Sequence, residues 1–439
     1  MCLHRVTVLR NKRLIFWLLV ALLAIRVTGH VSSPAGLNWD FTGFYNTGAR
    51  VFQGEIQNIY KQESPIAGKP RELTKPFEYV GFPLSAYLFA PLGLFSTRVG
   101  LLVFKVVCAA CYGLGLFLLY RHFHTHTLPG WNMELQLNCF LFLCLVFEPF
   151  WRVFPVGGQS TPFAFLMLVM FLSAYVKSRL AAAALFLSVA ILVKPFLGPV
   201  VYVFLLARDW KFLMWLTGTF TLEGSLSLSL VGPGLHWEWI RIVLQESQRW
   251  SMAWWYNCSI LGFAANFWRY LQPLRSAEIV PPALFVIQIV FRSFLVLFFA
   301  RLVQKVRTTS APELPKKHSY VLLGIVLSLF IPGIVWEHYL VFLIIPLLYL
   351  ISYRQDIPRG AQTVTVLILL LTLRANQLFA RSLSVRFMYI NSFWETLLVS
   401  SYGSGALILT LLLLLYFYRS GATRFGAAAQ RIRLVCTGS

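Results

Sequence analysis

Asp40, Gln159, Lys194 and His338 are the residues of this chain whose types and neighbours suit chemistry. Asp40 follows the first apolar run and opens a long polar loop, within Asn38-Trp39-Asp40-Phe41-Thr42-Gly43-Phe44-Tyr45. A carboxylate there is either an N-cap for the helix that follows, worth about 1 kcal/mol, or a base that takes a proton from a substrate hydroxyl. Lys194 interrupts an apolar run between Ile191-Leu192-Val193 and Pro195-Phe196-Leu197. An ammonium in such a place is costly unless it snorkels to the surface or meets an anion such as a lipid phosphate. His338, in Glu337-His338-Tyr339 between two apolar runs, is an interfacial residue, a phosphate ligand or a proton carrier. Gln159 closes the short turn Gly157-Gly158-Gln159.

The elements that must position these groups follow from composition. With 58% hydrophobic and only 12% charged residues, and a mean hydropathy of +0.69, the apolar runs are too many and too long for a soluble core. The fold class expected is an all-α polytopic membrane protein, multi-pass in the cell membrane, with roughly twelve transmembrane helices and an outer-face interfacial helix after the first span. No hydrophilic segment is long enough to fold separately, so residues 1–439 form a single integral membrane domain. The net charge of +22 is distributed in short Lys and Arg clusters between apolar runs. That pattern serves topology and anionic headgroups, making membrane lipids the expected partners and excluding nucleic acid.

In chain order, Arg5, Arg10, Lys12 and Arg13 precede the apolar run Leu14 to Ile25, which reads as an uncleaved first span with its N-terminus inside. Residues 32–80 form the first outer loop. Within it Phe41, Phe44, Tyr45 and Gly48 recur at i, i+3, i+4 and i+7, predicting a helix from Asp40 to Phe52 that lies along the membrane. Pro83 and Pro91 break the apolar stretch 82–96, which reads as re-entrant. Spans are expected at 99–120, 135–151, 161–177, 180–207, 210–231, 281–302, 319–336, 338–353, 361–380 and 399–418, with Lys194-Pro195 dividing the fourth into two short helices. The basic loops Arg121, Lys177 with Arg179, Arg208 with Lys211, and Arg301 to Lys317 fall inside, as does the basic tail 419–439. A second outer loop covers 232–280.

That second loop carries Trp237, Trp239, Trp250, Trp254 and Trp255 with Arg241 among them, a density that suits an interfacial belt or stacking on sugar rings beside a phosphate-binding arginine. Asn257-Cys258-Ser259 has the form of a glycosylation sequon. Tyr45 and Glu78, polar groups of the first outer loop, join Gln159, Lys194, His338, Arg241 and Asn257 as candidates for substrate binding. His122-Phe123-His124-Thr125-His126 reads as an inner interfacial loop, and Cys108 with Cys111 as small packing residues of a helix. The sequence carries no P-loop, G-x-G-x-x-G or H-E-x-x-H pattern, and neither a cofactor nor a metal is expected. Asp40 is the single Asp of the outer side; Asp209 and Asp356 lie in basic inner loops.

The run from Trp39 to Glu55, closing at Ile59-Tyr60, resembles the opening motif of glycosyltransferase family 87, polytopic class C enzymes that include polyprenyl-phosphate-mannose-dependent mannosyltransferases. Shorter matches follow in order: Tyr79 to Pro83, Ala90-Pro91-Leu92, Gly158-Gln159, Lys194-Pro195 with Arg208-Asp209-Trp210, Asn257-Cys258-Ser259 and His338-Tyr339-Leu340. Thr161 and Cys258 depart from the family pattern, where Asn and Gln are frequent. The resemblance implies sugar transfer, mannose first among the sugars, from a polyprenyl-phosphate donor to a lipid or glycan acceptor on the outer face. Asp40 takes the place of the family's catalytic carboxylate and His338 that of a histidine beside it. A transporter or flippase of a lipid-linked or anionic solute is the alternative, suggested by the broken helices at Pro83 and Lys194-Pro195.

Overall fold

The computed structural model describes residues 2–34, 40–60, 81–126, 133–154, 159–249, 257–271, 282–310, 313–352, 359–372 and 403–420. Among them the chain is helical, with no strand beyond an isolated antiparallel bridge between Asn257 and Trp336. In order come α1 (Cys2–Ser32), α2 (Asp40–Phe52), a 3-10 segment (Pro83–Leu94), α3 (Thr97–His126), α4 (Met133–Val146), α5 (Glu148–Arg152), α6 (Thr161–Val176), α7 (Leu180–Val193) and α8 (Pro199–Ala207). Then follow α9 (Trp210–Arg249), α10 (Ile260–Leu271), α11 (Pro282–Thr308), α12 (Glu313–Phe330), a second 3-10 segment (Glu337–Leu343), α13 (Ile344–Ser352), α14 (Arg359–Leu371) and α15 (Gly403–Ser420).

Among the described residues three unbroken stretches have the length and apolar composition to cross a membrane: Arg13–Ser32, Thr97–Phe123 and Val286–Thr308. Most of the other expected spans are apolar helices of 10–17 residues, shorter than one crossing needs. Their brevity has local causes. Pro195 has no N–H and bars its predecessor from the α region, so Lys194 sits at φ −136° and ψ 84° and ends α7. A second break, at Phe147 with φ −73° and ψ 94°, precedes α5, whose first turn holds Pro149, and divides the span expected at 135–151.

Elsewhere the helices run on where loops were expected. α9 continues past 231 to Arg249, and at its kink Gly232 adopts φ 77° and ψ 165° ahead of Pro233. With α10, this makes much of the segment 232–280 helical. α12 ends at Phe330 instead of 336, and the run from 338 begins as 3-10 helix. His122 is no loop residue: it lies buried in α3 and meets His318 of α12, with the two Nε2 atoms 2.8 Å apart. The tail beyond residue 420 lies outside the described residues.

The core is centred on α6, whose Phe165, Leu168, Phe171 and Tyr175 are fully buried between α3 and α7. The helix that matters most for position is α2. Phe41, Tyr45 and Gly48 of its predicted face are buried, and so are Thr42, Gly43, Thr47, Ala49 and Arg50, so the helix is enclosed on most sides and not on that face alone. Against it lies the segment Pro83–Leu94, so close that a Cβ on Gly48 would stand 2.0 Å from the Phe89 carbonyl oxygen. Phe44 stacks on Phe89 at 4.6 Å between ring centroids, and the Tyr45 hydroxyl donates to the Phe95 carbonyl at 2.8 Å. The polar loop is thereby clamped to the bundle, and the start of α2 is fixed.

Candidate active site

Asp40 stands at that fixed start. Its side chain is half-buried, and among the described residues its carboxylate accepts no hydrogen bond, so it is not the side-chain cap of α2. Burial pushes the Asp40 carboxyl up to about 6, and the charge of Lys194 pulls against that rise. A carboxylate with open lone pairs and a raised affinity for protons has the properties of a general base.

Lys194 reaches this place because the helix breaks beneath it. Lys194 is the C-cap of α7, its N–H still donating to the Ala190 carbonyl, and its Nζ donates to Gln159 Oε1 at 3.0 Å while lying 5.1 Å from the centre of the Tyr339 ring. Gln159 is itself held, its carbonyl accepting a weak bond from Cys108 Sγ at 3.5 Å. Phe196, just past the break, stacks on Tyr339 at 4.2 Å and meets Phe342 edge-on at 5.6 Å, which ties the α7–α8 junction to the segment Glu337–Leu343. The ammonium has donors left over after its bond to Gln159.

His338 is buried on that same segment, and its Nε2 has no partner. It feels the charges of Lys194 and of Arg152, a residue that sequence reasoning missed. Arg152 ends the short helix α5, 1% exposed, and its Nε donates to Glu337 Oε2 while its Nη2 is buried without a partner. The only hint in the sequence is an arginine at the end of an apolar run, just ahead of Gly157-Gly158-Gln159. Three nitrogens, on Lys194, Arg152 and His338, are thus withdrawn from water with hydrogen-bonding capacity unspent. Such an arrangement receives an oxyanion.

The remaining candidates fall elsewhere. Asn257 works from behind: its Nδ2 donates to the Gly333 carbonyl at 3.0 Å, and its Oδ1 accepts from Val335 N at 3.0 Å and Ser259 N at 3.1 Å. It pins the strand-like residues that lead into Glu337-His338, and its burial closes it to glycosylation. Tyr45 is fully buried in the clamp between α2 and α3. Arg241, its side chain 64% exposed, sits on α9 at 4.0 Å from Glu238 and is not brought to the cluster. Glu78 lies outside the described residues. Among the described residues no group of three or more His, Cys, Asp or Glu is placed to hold a metal ion.

Lys194 thus connects Gln159, the Tyr339 ring and the charge of Asp40 with His338, which Arg152 also influences. Comparison with curated proteins and with solved structures gave no significant match. The family model described as glycosyltransferase family 87 matches residues 79–332, more than half of the chain. The match includes Arg152, Gln159, Lys194 and Asn257, while Asp40 precedes it and His338 follows it. The chain belongs to glycosyltransferase family 87.

Proposed function

We propose that this membrane glycosyltransferase transfers a sugar, with mannose as the first candidate, from a polyprenyl-phosphate donor to a hydroxyl of a lipid or glycan acceptor on the outer face of the cell membrane. Roughly twelve crossings carry the site in this reading, several of them made jointly by short helix pairs such as α7 with α8. The observation that carries the proposal is a half-buried Asp40, unbonded among the described residues, whose charge reaches Lys194, which in turn acts on His338 together with Arg152.

In the reaction the acceptor oxygen attacks the anomeric carbon as the bond from that carbon to the phosphate oxygen breaks. Asp40 takes the hydroxyl proton, a general-base contribution of about 10²- to 10⁴-fold. The electron pair of the broken bond leaves with the polyprenyl phosphate, whose added negative charge falls on Lys194 Nζ, Arg152 Nη2 and His338 Nε2. Attack on the face opposite the leaving group inverts the configuration in one step, through a transition state resembling an oxocarbenium ion. Arg152 takes the part that the sequence suggested for Arg241.

The test is Asp40→Asn in purified protein supplied with radiolabelled polyprenyl-phosphate mannose and a membrane lipid extract. Wild type yields labelled glycolipid, and the variant stays in the membrane with turnover lowered at least 10²-fold. Retained turnover in the variant would sink the assignment. Donor movement across vesicles without labelled product would favour the flippase reading, against which family membership already weighs.

A further inference from the structure

A cavity runs along α12 from its first turn. The end of this helix at Phe330 leads towards His338, whereas the cavity is lined by its beginning, from Pro315 to Val326. Lys316 and Phe330 are separated by about 21 Å along the helix, at 1.5 Å per residue. The cavity, of about 130 Å³, lies between α11, α12, α13 and α15, and Leu302, Val306, Leu323, Val326 and Leu413 make its walls. It is not part of the site described above.

Two features say what fills it. The walls are hydrocarbon, but Lys305 and Lys316 stand in the lining, both half-buried so that their stems lie along the cleft. Lys316 Nζ donates to the Arg307 carbonyl at 3.3 Å and enters no ion pair among the described residues, and that bond leaves two of its donors. Around them the stretch from 301 to 317 holds Arg301, Lys305, Arg307, Lys316 and Lys317 against the single acid Glu313. Glu313 is exposed and does not line the cleft, and Lys317 donates to Ser178 Oγ.

We propose that this cleft binds one anionic diacyl phospholipid, an acyl chain lying between α11, α12 and α15 and the phosphate between Lys305 and Lys316. Charge complementarity selects the anionic headgroup, because basic pockets between membrane helices attract anionic lipids. The bound chain joins α11 and α15 to α12, the helix whose other end leads to the His338 segment. The proposal needs only that the chain is a membrane protein and does not rest on the sugar-transfer reading.

Native mass spectrometry of the full-length protein tests it, with dioleoylphosphatidylglycerol, dioleoylphosphatidylcholine and farnesyl phosphate as separate probes. One phosphatidylglycerol per chain is retained at roughly tenfold or more lower concentration than phosphatidylcholine. That preference is lost in Lys305→Gln/Lys316→Gln and kept in Lys305→Arg/Lys316→Arg, while Ser319→Trp, which fills the cleft, loses the bound lipid at any headgroup. Equal retention of the two phospholipids overturns the proposal, as does unchanged retention in Ser319→Trp. Farnesyl phosphate displacing phosphatidylglycerol at equal concentration overturns the assignment to a diacyl lipid.

Discussion

Lys105 and Lys194 are both withdrawn from solvent, 0% and 7% exposed, one inside α3 and the other at the break between α7 and α8. Lys105 donates to the His30 carbonyl at 3.2 Å and the Ser33 carbonyl at 2.5 Å. Those oxygens belong to the end of α1, which has run out of its own N–H partners, so the ammonium closes a helix terminus. Lys194 meets one side-chain amide, lies near an aromatic ring and senses a carboxylate with which it forms no ion pair. Burial alone therefore does not separate structure from function in this bundle. What separates them is whether the donors are already committed to backbone. The same contrast divides Glu337, bonded to Arg152, from Asp40, which accepts nothing.

Replacing each lysine by methionine should break the comparison if it is wrong. Lys194→Met keeps volume and apolarity but removes a charge from the cradle, and turnover should fall about 10²- to 10³-fold, as for loss of one oxyanion donor. Radiolabelled transfer by purified protein measures this. A loss below tenfold would return Lys194 to the class of Lys105.

The lysine comparison also shows what the sequence could and could not reveal. Lys194-Pro195 was legible because proline has one backbone consequence wherever it occurs, and α2 was legible because its four-residue face repeats at helical spacing. Arg152 was not, since its meaning lies in Glu337, 185 residues away. His122 looked like part of a loop for the same reason, its partner His318 being 196 residues distant. Arg241 misled in the other direction. Its aromatic neighbours suggested a site, but α9 continues past the kink and leaves the arginine exposed beside Glu238. Family membership, fold class and the helix breaks were local signals; the composition of the cradle depends on long-range packing.

A change that touches neither charge sharpens the point. Gly48→Ala places a methyl 2.0 Å from the Phe89 carbonyl oxygen and 2.5 Å from its carbon, so backbone must move and α2 must lift from the segment Pro83–Leu94. Overpacking of this kind costs about 1–3 kcal/mol. Shifting Asp40 by ~1 Å relative to Lys194 should lower turnover about 10²-fold with donor binding little changed. Full activity in Gly48→Ala would mean that the clamp does not set the position of the base.

Lys105→Met is the converse test and should act on stability. It leaves the terminal carbonyls of α1 without their ammonium, at a cost of about 1–3 kcal/mol, and lowers the thermal midpoint in detergent. Turnover per folded molecule should be unchanged within about twofold, since no substrate-facing donor is removed. A large drop in turnover at unaltered stability would place Lys105 on the functional side of the comparison.

The smallest effect is also the most specific to the pair Asp40 and Lys194. A general base works as the carboxylate, so kcat/KM should rise with pH through a midpoint near 6, following the Asp40 carboxyl that burial holds at about 6. Lys194 lowers that value by favouring the charged form. Removing it in Lys194→Met should therefore move the midpoint of the residual activity upward, towards more alkaline pH, while Lys105→Met leaves it in place. A pH series of initial rates on the three proteins reads this directly. A midpoint near 4 in the wild type would describe an exposed carboxylate with no cradle beside it, and an unmoved midpoint in Lys194→Met would show that the ammonium and the base act on separate things.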